Sequence, residues 1–177
     1  DFENWEKVMS SDPADFTTEK SFTAPRPGHA DFAGAIKYQH TDLRNVLERS
    51  SARKTAIEVA VGAVAKLILK EFDITGNSYI LEVGDIDKAR EVGVTLGGKF
   101  EVIFTGLPIG LGSYVHYDRM LDGKIAQAVM SIPAVKSVSI GDGEVAHKLN
   151  GKEFHDEMII ENDKIVHKTN HAGGIEG

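Results

Sequence analysis

Cysteine is absent from the 177-residue chain. That excludes a disulfide framework and any thiolate nucleophile. It is compatible with a reducing compartment, and a cytoplasmic protein is the expectation. The five prolines are scattered, and neither a low-complexity tract nor an internal repeat is visible. No apolar run approaches the ~20 residues that a membrane span needs. Positive charge is in deficit, with 20 Lys+Arg against 27 Asp+Glu, a net charge of −7. Such a total argues against general nucleic-acid binding, which rests on many phosphate contacts. It leaves room for a local anion site. What is present, 41% hydrophobic and 27% charged residues, is ordinary for a soluble globular domain. The length suits one domain or two small ones.

Hydrophobic periodicity organises the chain. Phe2, Trp5, Val8 and Met9 fall at roughly helical spacing. Residues of about 10–25 are polar and proline-containing and read as a connecting loop. From Asp42 to Phe72 an apolar stripe recurs at 3- and 4-residue steps, which predicts one helix about 45 Å long, interrupted by polar Arg49, Ser50 and Ser51. Bends near the serines are expected. "SYILEVG" (78–84) and "KFEVIFTGLP" (99–108) read as strands, with a helical turn between them before Gly97-Gly98. "DRMLDGKIAQAVMSI" predicts a second helix, and "VKSVSIGDG" a short strand and turn. "DEMIIENDKIVHKT" predicts a hairpin with Asn162-Asp163 at its tip. Long helices with several short strands indicate an α+β fold rather than a doubly wound sheet.

Most chemical motifs are weak. "GLPIGLG" (106–112) follows a strand but lacks the acidic residue that a dinucleotide site places about 20 positions on, so a turn at a sheet edge is the better reading. His167 and His171 have metal-ligand spacing, yet "HKTNHAGG" is a poor helix, and no metal is expected. The cluster Arg26, His29, Arg49, Ser50, Ser51 and Arg53 is different. A guanidinium fork suits phosphate and carboxylate, a serine hydroxyl completes the coordination, and a histidine moves a proton near neutral pH. The bland alternative is a solvated helix face whose arginines pair with Glu48 and Asp42.

Longer stretches carry more. "RPGHADFAGAIKY" (26–38), "DLRNVLERSSAR" (42–53), "TAIEVAVGAVAK" (55–66), "GLGSYVHYDRMLDGKIAQAVMSIPAVKSVSIGDG" (110–143) and "TNHAGGIEG" (169–177) together resemble chorismate synthase, in that family's order and over nearly the whole chain. The resemblance implies one partial domain over residues 1–177, a β-α-β sandwich with a long central helix, and a homotetramer. It implies a 1,4-anti elimination that converts 5-enolpyruvylshikimate 3-phosphate to chorismate, using reduced FMN, with NADPH needed only in bifunctional members. By the same resemblance His29 is the proton donor and Arg26 and Arg53 bind anionic groups of the substrate. Ser51, Ala52, Arg53, Pro133, Ala134 and Gly177 contact FMN.

The chain also departs from the family. It begins without methionine and ends on a glycine-rich run, so part of a longer polypeptide is the expectation. A family block with a Gly-x-Ser-His-Gly histidine would precede Asp1, and one with Lys-Pro-Ile-Pro-Thr would follow Gly177. Family members also run longer between Gly84 and Asp85. Lys54 and Glu58 reverse the charges that the family carries there. Ser137, Ser139 and Lys152 replace the usual Gly, Glu and Ser. A catalytically inactive fragment with a structural or oligomerisation role is therefore the alternative to the enzyme.

Overall fold

The computed structural model describes residues 3–15, 17 and 20–176. The chain divides into two compact units, Asp1–Ile57 and Glu58–Gly177.

The first unit is built on two short helices, α1 (Asp31–Tyr38) and α2 (Arg44–Ser50). Asp31 begins α1 and complements the positive end of its dipole. Gln39 ends α1 in the left-handed region at φ 57° and donates its backbone N–H to Ala35 O. The helices meet where Gly34 faces Val46. A Cβ at residue 34 would lie 2.4 Å from Val46 Cγ1, so only glycine permits this approach. Leu43 and Val46 are buried there, and Asp31 is fully buried. Upstream, the Met9 N–H donates to Trp5 O, as a helical turn requires. The Trp5 ring receives the Lys20 ammonium at 4.2 Å and the Arg44 guanidinium at 5.6 Å from its centroid.

The single helix expected over Asp42–Phe72 is broken. After α2, Ser51 is extended (φ −59°, ψ 133°), a 3₁₀ turn spans Ala52–Lys54, and α3 runs from Thr55 to Lys70. Local side-chain bonds explain the break. Ser51 Oγ accepts from Arg53 N, and Thr55 Oγ1 donates to Ala52 O, offering the backbone an alternative to helical pairing. Asp42 does not pair with the arginines of the cluster. It accepts from the backbone N–H groups of Phe22 and Arg44.

In the second unit the two expected strands, β1 (Thr75–Val83) and β2 (Gly98–Thr105), pair antiparallel from Thr75↔Thr105 to Val83↔Gly98. A bulge between Ile80 and Glu82 interrupts the register. Helix α4 (Ile86–Val92) connects them, with the Asp85 side chain capping its start and Gly93 ending it at φ 73°. Helix α5 (Leu121–Met130) and a short α6 (Gly151–Phe154) follow, the latter with an Asn150/Glu153 capping box. The predicted hairpin is β3 (Met158–Glu161) with β4 (Lys164–His167). Asn162 and Asp163 stand at its tip with φ of 52° and 59°, the two left-handed positions of a two-residue turn. The expected strand within 135–140 does not form, although the turn after it does.

Burial is sparse. Only Ile74 and Ala89 are buried apolar residues in this unit among those described. Helix α3 leaves Val59, Val61, Val64, Leu67 and Ile68 more than half exposed. The β1–β2 ribbon likewise exposes Ile80 and Phe100.

Candidate functional site

The loop that enters α1 is organised by one carboxylate. Asp31 accepts from Arg26 Nε at 2.8 Å, from Arg26 Nη2 at 3.0 Å and from the Arg26 backbone N–H at 3.0 Å. A fully buried carboxylate needs such pairing. The side-chain hydrogen bonds from Arg26, then its backbone N–H, hold the Asp31 carboxyl down at about 2 against the opposing effect of burial. The same bonds raise the Arg26 pKa. Arg26 is thus fixed in direction with Nε and Nη2 engaged, while its side chain stays 42% exposed. Sequence reasoning weighed Glu48 and Asp42 as partners for the arginines and missed Asp31.

His29 is exposed in the same loop. Its Nδ1 lies 2.9 Å from Pro27 O. A carbonyl oxygen can only accept, so Nδ1 carries a proton and Nε2 of the neutral ring is the acceptor. The imidazole is thereby oriented to exchange a proton through Nε2.

Ser51, Ala52 and Arg53 occupy the extended break and 3₁₀ turn between α2 and α3. Arg53 is exposed, and no ion pair engages it among the described residues. Nor does any hydrogen bond between described residues join this turn to the Arg26–Asp31 pair.

In the second unit, Pro133 and Ala134 form the centre of a turn after α5, closed by Val135 N–H to Ile132 O at 3.2 Å. Ala134 has φ 71°. Proline followed by a left-handed residue is the type II pattern, which ordinarily places glycine in the second position. A methyl side chain held there is a local strain. Gly177 lies outside the described residues.

A further assembly in the second unit escaped sequence reasoning, since its members are far apart in the chain. Asp156 accepts from Thr169 Oγ1 at 2.5 Å and the His171 N–H at 2.8 Å, both on Oδ1, and from the Ala172 N–H at 2.9 Å on Oδ2. The Thr169 hydroxyl is the largest cause that lowers the Asp156 carboxyl to about 2; burial opposes it, and the two backbone donors assist. His171 Nδ1 lies 2.7 Å from Asp142 Oδ2, and its ring stacks on Phe154 with centroids 5.7 Å apart. The Asp142 N–H donates to His171 O at 2.7 Å. His167 instead faces Glu176, with Nε2 3.4 Å from Oε1. The two histidines thus serve separate contacts, and no group of three metal-ligating side chains occurs among the described residues.

Taken together, these are the elements of a mixed α+β protein whose loops carry charged and imidazole donors. In fold the chain is similar to a solved structure titled "Crystal Structure of Chorismate Synthase", with TM-score 0.78 and 38% identity, covering 83% of this chain and 57% of that one. The chorismate synthase family model matches residues 1–89 and 84–177, and the chain belongs to that family. The two matches overlap over residues 84–89, by the Gly84–Asp85 junction where family members were expected to run longer. Chorismate synthase of Carboxydothermus hydrogenoformans is 46% identical over 213 aligned residues, which take in all of this chain and 55% of that protein. Chorismate synthase of Thermoanaerobacter pseudethanolicus is 49% identical, with all of this chain and 51% of that protein covered. The chain spans about half the length of the curated relatives it matches.

Proposed function

We propose that this chain acts in chorismate synthesis, in the 1,4-anti elimination of phosphate from 5-enolpyruvylshikimate 3-phosphate with reduced FMN. The observation that carries the reading is family membership that extends across both units at 46–49% identity to named relatives. In the elimination, phosphate departs with the electron pair of the C–O bond, a proton leaves C6, and the ring gains a double bond. Reduced flavin, when bound, would be the source of electron density for cleavage of the C–O bond.

The donor set suits these anions. The Arg53 guanidinium and the remaining Arg26 donors match phosphate and carboxylate oxygens, and Ser51 adds a hydroxyl. Asp31 holds Arg26 in one orientation, which lowers the entropy cost of gripping a ligand. His29, with Nδ1 tied to Pro27 O, presents Nε2 for proton exchange and in its charged form donates from that atom. By the family resemblance, Ala52, Pro133, Ala134 and Gly177 are each assigned to FMN binding. Both units are parts of one family domain, and the chain assembles as a homotetramer in the cytoplasm. NADPH takes part only if the protein reduces its own flavin.

The test is anaerobic phosphate release by the verified full-length protein supplied with reduced FMN and substrate. Release at a rate above the flavin-only control is expected. A folded, FMN-bound chain that releases none would refute the enzyme reading. The alternative, a structural fragment, draws on the exposed apolar faces of α3 and of the β1–β2 ribbon, but family membership across the chain supports the enzyme reading over it.

A further inference from the structure

We infer that Asp156 is a positioning residue that sets the glycine-rich segment 169–176 by clamping three donors of its first turn, and thereby supports the FMN binding assigned to this part of the chain. The inference rests on the FMN reading above. Both carboxylate oxygens are used, Oδ1 by Thr169 Oγ1 and the His171 N–H, Oδ2 by the Ala172 N–H. These donors flank the point where the chain passes into Gly173 and Gly174, at φ 65° and 76°. Glycines in that region carry the largest backbone freedom, so a segment containing two of them holds one course only if something outside it fixes the entry.

Two further contacts act on the same segment. Asp142 holds the His171 ring at Nδ1, and His167 meets Glu176, next to Gly177. The Gly173 N–H closes its own turn on Asn170 O, and the Ile175 N–H closes the next on Ala172 O. Asp156 stands apart from these because it binds through backbone donors, so it fixes the path of the main chain and not only a ring. It lies on the connection between α6 and β3, which the Lys168 N–H to Glu157 O bond ties to the far end of the hairpin. The clamp therefore references the glycine segment to the hairpin base.

The chemistry selects graded variants. Asp156→Ala removes all three acceptor contacts. Asp156→Asn can keep an acceptor toward Thr169 and His171 but turns an amide N–H₂ toward the Ala172 N–H, donor against donor. Thr169→Val removes only the hydroxyl. The measurements are amide hydrogen exchange at His171 and Ala172, the urea midpoint, and the Kd for reduced FMN by anaerobic titration, all on the 177-residue chain.

Asp156→Ala is expected to speed exchange at both amides by at least about tenfold and to weaken FMN binding by about tenfold or more. Asp156→Asn should speed Ala172 most and weaken FMN by an intermediate factor, with Thr169→Val smaller still. A match between the order of loop opening and the order of Kd, at constant urea midpoint, supports positioning. Wild-type binding with unchanged Kd in the open-loop variants overturns the inference and leaves the flavin reading intact. A wild-type chain that binds no FMN overturns the flavin reading and the positioning role with it. If Asp156→Ala does not fold, the Asn and Val variants still rank the two measurements.

Discussion

Gly141 is a position where the second unit has no room for a single methyl group. Its φ is 52°, and a Cβ there would lie 2.2 Å from His171 O, 2.4 Å from Gly173 N and 2.7 Å from Ala172 C. All three are backbone atoms, so no side chain can swing aside. Alanine would have to separate residues 140–142 from 171–173, breaking the 2.7 Å bond from Asp142 N–H to His171 O. A left-handed alanine costs about 1–2 kcal/mol. The lost hydrogen bond adds about 1 kcal/mol. Together that is about 2–3 kcal/mol, a large share of a small unit's stability. Hydrogen exchange at the Asp142 amide should accelerate by about 30- to 150-fold in Gly141→Ala, since about 1.4 kcal/mol is tenfold. The control is Gly174→Ala. Its φ is 76°, but a Cβ there meets nothing within 4 Å among the described residues, so only the conformational cost applies. Urea unfolding should therefore separate the two variants by about 1 kcal/mol or more. Equal losses in the two would refute the claim that backbone contact, rather than φ alone, requires glycine at 141.

Four other outcomes are expected. Ala134→Gly should raise stability by about 1 kcal/mol in urea titration, by relieving a left-handed alanine, and no gain would refute the strain. Asp31 and Asp156 both sit at about 2 in the folded chain against an ordinary 3.8, so their contribution is present above pH 4 and lost as pH falls toward 2; amide protection at Arg26, His171 and Ala172 should fade across that window and not between pH 5 and 8. His29→Ala should lower turnover more than it weakens FMN binding, because a proton donor acts mainly in the transition state; equal losses would make it a packing or binding residue. Arg53→Ala should weaken anion binding by one to two orders of magnitude, about the worth of a charge-assisted hydrogen bond, in a phosphate or FMN titration.

Elements governed by neighbours in sequence were legible. The Asn162-Asp163 hairpin, the two longer strands and helix α5 all follow from turn chemistry and periodicity. The family too was legible, because its long blocks carry many residues in order. The break at Ser51 was legible only in part. Polar residues 49–51 interrupt the apolar stripe and pointed to a bend, but whether the helix bends or breaks is decided by hydroxyl bonds that periodicity ignores. The Arg26–Asp31 pair was missed because its five-residue spacing spans a turn, not a helix face, and so belongs to no tabulated pair. The Asp142–His171 and Asp156–Thr169 contacts join residues 29 and 13 apart, which only the folded backbone brings together.

The distribution of apolar and polar contacts in the two units has one physical consequence. Helix α3 is apolar around most of its circumference, and the β1–β2 ribbon carries large apolar side chains on exposed positions, the composition of inner layers rather than of surface elements. Within this chain they bury little, so they give the adjoining loops almost no hydrophobic support. The loops that bear the candidate residues are instead tied by carboxylates: Asp31 to Arg26, Asp156 to the 169–172 turn, Asp142 to His171. Such bonds are short-ranged and directional, and each fixes a local backbone path without needing a large core around it. Local geometry at these loops therefore depends on individual carboxylates more than on overall stability. Substitution of one clamp should disturb the exchange protection of its own loop more than it lowers the stability of the unit that carries it.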